Sequence, residues 1–135
     1  MYSSFDTEIA VRPDDIDMNN HVHNSKYLDY VLTARYEQMR ENYKMPMSDF
    51  TALGYGWVVS SAQINYKRAV KLGDKIAVRT QVGGINGAQV TINFSIFFKE
   101  NEKVASEGII IYTLVSAVSG RPVRIPEEVI TKYSI

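Results

Sequence analysis

Residues 25 to about 42, SKYLDYVLTARYEQMREN, carry the one long helix-period pattern in this chain, and the remaining apolar patterns mostly alternate with period two. Tyr27, Val31 and Ala34 fall at helical spacing, Leu28 and Leu32 widen the stripe, and Met39 extends it. An apolar arc this broad is not covered by one flat contact, so the helix is expected to be wrapped by sheet. Asn24 stands where an N-cap belongs, with a side-chain oxygen that can accept a free N–H of the first turn. Arg35, Glu37, Arg40 and Glu41 read as a charged cluster toward the other end.

Strand patterns flank this segment. Residues 5–12, FDTEIAVR, place Phe5, Thr7, Ile9 and Val11 on one face and Asp6, Glu8 and Arg12 on the other. Pro13 ends that strand because it has no N–H to give. Residues 43–51, with Pro46 and small polar side chains, read as a connector. From residue 55, Val58, Ala62, Ile64 and Tyr66 alternate with Ser61, Gln63 and Asn65. A turn at Leu72, Gly73 and Asp74 leads to Ile76, Val78, Thr80 and Val82, alternating with Lys75, Arg79 and Gln81. Asn86-Gly87 is a strong hairpin signal, since both residues tolerate positive φ. Val90, Ile92, Phe94, Ile96 and Phe98 share one face of the next strand. A polar turn at 99–103 precedes the last strand, 104–117, which Ser119-Gly120 closes. Pro126 opens a short C-terminal helix ending near Tyr133.

The order is strand, long helix, then four long strands in a meander. It predicts an α+β fold, one long helix against one curved antiparallel sheet of about five strands. An open sheet edge made of good β-formers tends to pair with another chain, so a homodimer at least is expected.

The length of 135 residues fits one domain spanning 1–135. Lys plus Arg and Asp plus Glu each number 15, and this neutral balance argues against nucleic-acid or membrane-surface binding as the main task. The absence of cysteine excludes disulfides, thiolate metal sites and a cysteine nucleophile, and it suits a reducing cytoplasm. The first ten residues, MYSSFDTEIA, lack the basic and apolar regions of a signal peptide. The longest apolar run, 109–115, is far short of the roughly 20 residues of a spanning helix.

The polar cluster DIDMNNHVHNSKY, residues 15–27, holds both histidines of the chain. Four readings compete for it. Asp15, Asp17 and Asn19 match the opening of a calcium-binding loop, but Asn20 stands where that loop needs Gly and Lys26 where it needs Glu. His21 and His23, two apart, would point the same way in an extended chain and could bind a transition metal with Asp15 or Asp17. Asp17, just before a helix start, could act as a base or nucleophile beside N–H groups that hold an oxyanion. Asp and Asn before a helix are also common turn formers and caps.

Arg12, Asp15, Asp17, His21, Val22, Asn24 and Tyr27 form R-x-x-D-x-D-x-x-x-H-V-x-N-x-x-Y, which resembles the signature of the hotdog-fold acyl thioesterases. Nearest in pattern are the 4-hydroxybenzoyl-CoA thioesterase and acyl-ACP thioesterase branches. Tyr66, Gly73-Asp74, Ser119-Gly120-Arg121-Pro122 and Ile125-Pro126 add weaker marks, so the resemblance spans nearly the whole chain. It implies a helix wrapped by a sheet, an active site between subunits of a homodimer or homotetramer, and hydrolysis of an acyl-CoA or acyl-ACP without a cofactor or metal. Asp17 matches the catalytic carboxylate of both branches, as general base or nucleophile. Asn19 and His21 complete the acyl-ACP set, and Asn24 or a neighbour supplies the N–H that polarises the thioester carbonyl. Tyr27, Tyr30 or Trp57 are candidates to line an acyl pocket, and Lys67, Arg68, Arg121 and Arg124 to meet phosphates. His23 stands where the family more often has Asn. Hotdog proteins also include acyl-CoA-binding proteins without turnover, and hydratases. The hydratase motif fits less well, because His21 follows Asp17 by four residues rather than five and the expected Pro is missing.

Overall fold

Helix α1 (Asn24–Glu41) buries Tyr27, Tyr30, Val31, Ala34, Arg35, Gln38 and Met39, a stripe that repeats at intervals of three and four. This is the segment that the apolar period predicts. The structure is a computed structural model describing residues 2–135. Two polar residues ride the buried stripe. Gln38 is fully buried; its Nε2 donates to the Phe5 carbonyl at 3.1 Å and to Thr7 Oγ1 at 2.9 Å, and its Oε1 accepts from the Thr80 hydroxyl. The helix is thereby fastened to two strands. Arg35 is only 5 % exposed, so it does not belong to the charged cluster expected at the end of α1. Arg40, paired with Glu37 and Glu41, makes up that cluster.

Five strands form one sheet: β1 (Ser4–Ile9), β2 (Tyr55–Tyr66), β3 (Ile76–Asn86), β4 (Gln89–Phe98) and β5 (Val104–Ser116). Their order is β1-β3-β4-β5-β2, with every neighbouring pair antiparallel. The expected meander holds for β3, β4 and β5 but not for β2, which pairs with β5 at the far edge. The link from β2 to β3 is drawn away from a simple hairpin because it is anchored at the start of α1. There Val70 is fully buried, its carbonyl accepts from the Val22 amide at 2.7 Å, and its amide donates to the Tyr27 hydroxyl at 3.2 Å. Register shifts at Val59/Ser61, Val82/Gly84 and Ile96/Phe97 add the local twist that bends a sheet. Val31 and Ala34 of α1 meet Ile76, Val78, Phe94, Ile96 and Ile110 of the sheet in one core cluster.

Local boundaries differ in instructive ways. β1 stops at Ile9, the last residue paired with β3, rather than running to Arg12. The β3–β4 hairpin turns through Gly87-Ala88, with Gly87 at φ 62, and Asn86 pairs across with Gln89. The predicted Asn86-Gly87 turn is thus displaced by one residue, a shift that leaves Gly at the position where positive φ is needed. Residues 43–51 are more than a connector: α2 (Met47–Ala52) follows Pro46 and buries Phe50 completely. Gly120, at φ 72, turns the chain after β5, and α3 (Glu127–Tyr133) starts from Pro126. Gly108 of β5 permits a close approach of β2, since a Cβ there would lie 1.8 Å from the Gln63 carbonyl oxygen. Among the described residues no helix is long and apolar enough to cross a membrane.

Candidate active site

The loop between β1 and α1 is built from hydrogen bonds only a few residues apart. A 3-10 turn at Pro13–Asp15 follows β1, and Ile16 then pairs with Val22 in an isolated antiparallel bridge. Within it, the Asp17 amide donates to the His21 carbonyl at 2.8 Å, and Asn20 takes φ 61 to close the turn. Asn tolerates that conformation better than most residues. Asp17 Oδ1 accepts from the Asn19 amide at 2.8 Å and the His21 amide at 3.1 Å. Asp17 Oδ2 has no partner among the described residues, so one oxygen orients the carboxylate while the other stays free. The His21 amide holds the carboxyl below its usual range; slight burial opposes this, and the Asn19 amide adds to the lowering. Asp17 is therefore ionised at neutral pH.

Asp15 plays a different part. Its carboxylate is 6 % exposed and accepts from the Tyr30 hydroxyl at 2.6 Å and the Arg12 amide at 3.1 Å. Its carbonyl accepts from the His23 amide at 2.8 Å. Burial pushes this carboxyl up, but Tyr30 and then Arg12 pull it down past its ordinary value. The residue locks the loop onto α1, in keeping with a turn-forming role.

The cap of α1 is shifted by one residue from the expectation. His23, not Asn24, is the N-cap: its ring Nδ1 accepts from the Ser25 amide at 3.2 Å and lies 2.9 Å from Ser25 Oγ. The ring nitrogen takes the accepting role that a side-chain oxygen usually fills at this position. Asn24 becomes the first helical residue. The Lys26 amide turns back to the His23 carbonyl at 2.9 Å, and the Asn24 N–H, in the first turn, has no acceptor among the described residues. The helix dipole and this free donor lie at the end of the loop that carries Asp17. The Tyr66 hydroxyl from β2 donates to the Asn24 carbonyl at 3.2 Å, fixing this end of the helix to the sheet edge.

The structure thus brings Asp17, Asn19, His21 and Asn24 onto one short loop and helix start. Asn19 and His21 touch Asp17 through main-chain amides; their side chains form no hydrogen bond among the described residues. The His23 ring is engaged in its cap through Nδ1. No three His, Asp or Glu side chains gather at metal-binding spacing among the described residues.

An apolar cavity of about 260 Å³ opens along α1, with Leu32, Met39, Met47, Trp57 and Val59 in its walls. Of the three aromatic candidates only Trp57 lines it. Tyr27 and Tyr30 are core residues whose hydroxyls bond Val70 and Asp15. Arg35, Tyr112 and Tyr133 also line the cavity, and the sequence pattern does not single them out. For Arg35 the available signal is its place four residues after Val31, on the buried stripe. Lys67 pairs with Glu107 at 2.7 Å and Arg68 donates to the Val104 carbonyl at 2.7 Å; both are exposed, as are Arg121 and Arg124.

A long helix wrapped by five antiparallel strands, entered through a carboxylate-bearing loop, defines a hotdog-fold protein. The chain belongs to the thioesterase-like superfamily, whose family model matches residues 11–132, and is a thioester hydrolase. It is 26% identical over 109 residues to the long-chain acyl-CoA thioesterase FadM of Escherichia coli, covering 81% of each chain. It is 28% identical over 127 residues to the acyl-CoA thioesterase YbgC of Haemophilus influenzae, covering 94% of this chain and 92% of that one. In fold it matches the crystal structure of Slr0204, a 1,4-dihydroxy-2-naphthoyl-CoA thioesterase from Synechocystis, with a TM-score of 0.88 at 14% identity over 97% of this chain and 96% of that one.

Proposed function

We propose that this chain hydrolyses acyl-CoA or acyl-ACP thioesters with the ionised Asp17 carboxylate as nucleophile and the Asn24 N–H as oxyanion donor. The observation that carries the reading is the division of labour within one carboxylate: Oδ1 is held by two amides and Oδ2 by none. A carboxyl kept below its usual range is a weak base but is present as the anion that nucleophilic attack requires. Oδ2 adds to the thioester carbonyl, whose oxygen gains negative charge at the helix N-terminus. Collapse breaks the C–S bond, and the departing thiolate takes a proton from water. A water molecule then cleaves the mixed anhydride, releasing the fatty acid and restoring Asp17. Asn19 and His21 act through the amides that orient Asp17. The cavity beside α1 takes the acyl group. The similar proteins include two acyl-CoA thioesterases and an acyl-acyl carrier protein thioesterase of Arabidopsis thaliana, which supports a thioester of either carrier as the substrate.

The domain 1–135 works as a homodimer, alone or paired into a tetramer, in the cytoplasm. Supporting the dimer, β2 is a long edge strand with Val58 and Val59 exposed, a surface suited to pairing with a second copy. Light scattering after gel filtration tests this; a monomer at micromolar concentration removes it.

Release of free thiol from a panel of acyl-CoA esters tests the catalytic assignment. Asp17→Asn keeps the oxygen that the two amides need, so the loop stays folded while the charge is lost. Turnover is expected to fall by about 10²-fold or more. A fully active variant removes Asp17 from the mechanism.

A further inference from the structure

The apolar cavity beside α1 contains a charge that no group in the described chain neutralises. Arg35 is 5 % exposed, yet its Nε and Nη1 have no hydrogen-bond partner. The same holds for the hydroxyls of Tyr112 and Tyr133 and for Nε1 of Trp57. All four residues line the cavity. None of the ion pairs among the described residues includes Arg35. Its guanidinium lies 5.3 Å from the centroid of the Tyr43 ring and 5.9 Å from that of Tyr133. Attraction to those π faces holds the cation without using its N–H groups.

Such a cluster departs from the rule that buried polar groups are hydrogen-bonded and buried charges are paired. A guanidinium does not escape by losing its proton. Burial raises the Tyr112 phenol, and it raises that of Tyr133 to about 12, with the Arg35 cation pulling both the other way. Both hydroxyls therefore keep their protons at neutral pH. With the Tyr43 hydroxyl, the unpaired set is three phenols, an indole N–H and a guanidinium; the phenols both donate and accept, but the indole and the guanidinium only donate, so donors are in excess. Its complement is an anion rich in acceptor atoms and flat enough for the guanidinium fork, which describes a carboxylate.

We propose that the preferred acyl group of this enzyme ends in a carboxylate, which Arg35 receives inside the cavity with Tyr112, Tyr133 and Trp57 as additional donors. The inference rests on the cavity being the acyl pocket of the proposed thioesterase. Leu28 and Leu32 follow Asn24 at four-residue steps, and Arg35 lies three beyond. One flank of α1 thus leads from the oxyanion donor to the guanidinium, about 16 Å along the axis at the rise of an α-helix. A medium or longer acyl chain spans that distance with its two polar ends at the two polar groups and its methylenes against Leu32, Met39 and Val59.

The test uses two non-hydrolysable CoA thioethers of equal length, one with an ω-carboxyalkyl chain and one with a plain alkyl chain. Both are titrated against the full chain. Trp57 is the only tryptophan, so its fluorescence reports occupation of the cavity, and calorimetry gives the affinity. The carboxylated analogue should bind wild type at least tenfold more tightly than the plain one. Arg35→Met should abolish or reverse that preference. Tyr112→Phe, which removes one oxygen and keeps the ring, should weaken the carboxylated analogue several-fold and leave the plain one unchanged. If Arg35→Met does not fold, Tyr112→Phe and Tyr133→Phe decide on the same criterion. Equal affinity of the two analogues for wild type, or a preference that survives the variants, overturns the proposal. Because binding to the thioethers is read without turnover, failure of the catalytic assignment shows separately, as an absence of thiol release from the panel of acyl-CoA esters.

Discussion

Removing one oxygen atom from the Asp15–Tyr30 pair measures how firmly the loop is locked to α1. Tyr30→Phe keeps the ring in the core and deletes the hydroxyl that donates to Asp15 Oδ2 at 2.6 Å. A hydrogen bond to a charged acceptor contributes roughly 1.5–3 kcal/mol. Both residues line a groove between β1 and α1, where solvent lies close, so the low end applies and the expected loss is about 1.5 kcal/mol. For a chain of this size that lowers Tm by about 5–8 °C. The pH dependence gives a sharper check. The Asp15 carboxyl is lowered in the fold, so its contribution is present above about pH 4 and is lost as pH falls through the folded value. The Tyr30 phenol is raised, burial first and Asp15 second, so its contribution is present below about pH 10 and is lost as pH rises beyond it. Urea unfolding of wild type and Tyr30→Phe should therefore differ by a constant amount from about pH 5 to 9, and the curves should converge below about pH 4. A difference under about 0.5 kcal/mol at neutral pH, or one that grows on acidification, would refute the lock. Thiol release should fall by less than about tenfold in Tyr30→Phe, because the Asp17 carboxylate keeps its own two amides.

The acid limb of kcat/KM should lie below about pH 4, since the Asp17 carboxyl is lowered and activity is lost only when it gains a proton; a limb near neutrality would contradict attack by a preformed carboxylate. Gly108→Ala brings a Cβ to 1.8 Å from the Gln63 carbonyl oxygen, so β2 has to move away from β5. The cost is expected to exceed about 3 kcal/mol, seen as a Tm drop of about 10 °C or more, and an unchanged melting curve would show that the strands part easily. Gln38→Leu leaves the Thr80 hydroxyl and the Phe5 carbonyl without their partner under α1. The expected loss is about 2–4 kcal/mol in urea unfolding, whereas a neutral effect would mean that water replaces the amide.

Interactions between near neighbours are legible in the amino-acid sequence alone. The apolar period of residues 25–42 locates α1, and the alternation after residue 55 locates four strands, because a side chain's face follows from its own backbone geometry. The dense polar stretch is readable as a loop delivering a carboxylate to a helix start, since Asp17 bonds partners only two and four residues away. Where local chemistry allows two neighbours the same task, one residue of error enters: His23 caps the helix expected to begin from Asn24, and Gly87-Ala88 forms the turn expected at Asn86-Gly87.

Tertiary structure decides everything that depends on distant partners. The period of β2 states which residues share a face but not which strand lies beside it, and pairing with β5 rather than β3 follows from the anchoring of Val70 beneath the loop. Gln38 and Arg35 look alike in sequence, polar residues on an apolar stripe. Only the fold separates them, by surrounding Gln38 with acceptors and a donor from β1 and β3 while leaving Arg35 unpaired in a cavity. Sequence period determines that a side chain is buried. What it meets there is set by elements far along the chain, and for a buried polar group that meeting decides between a fastening and a binding site.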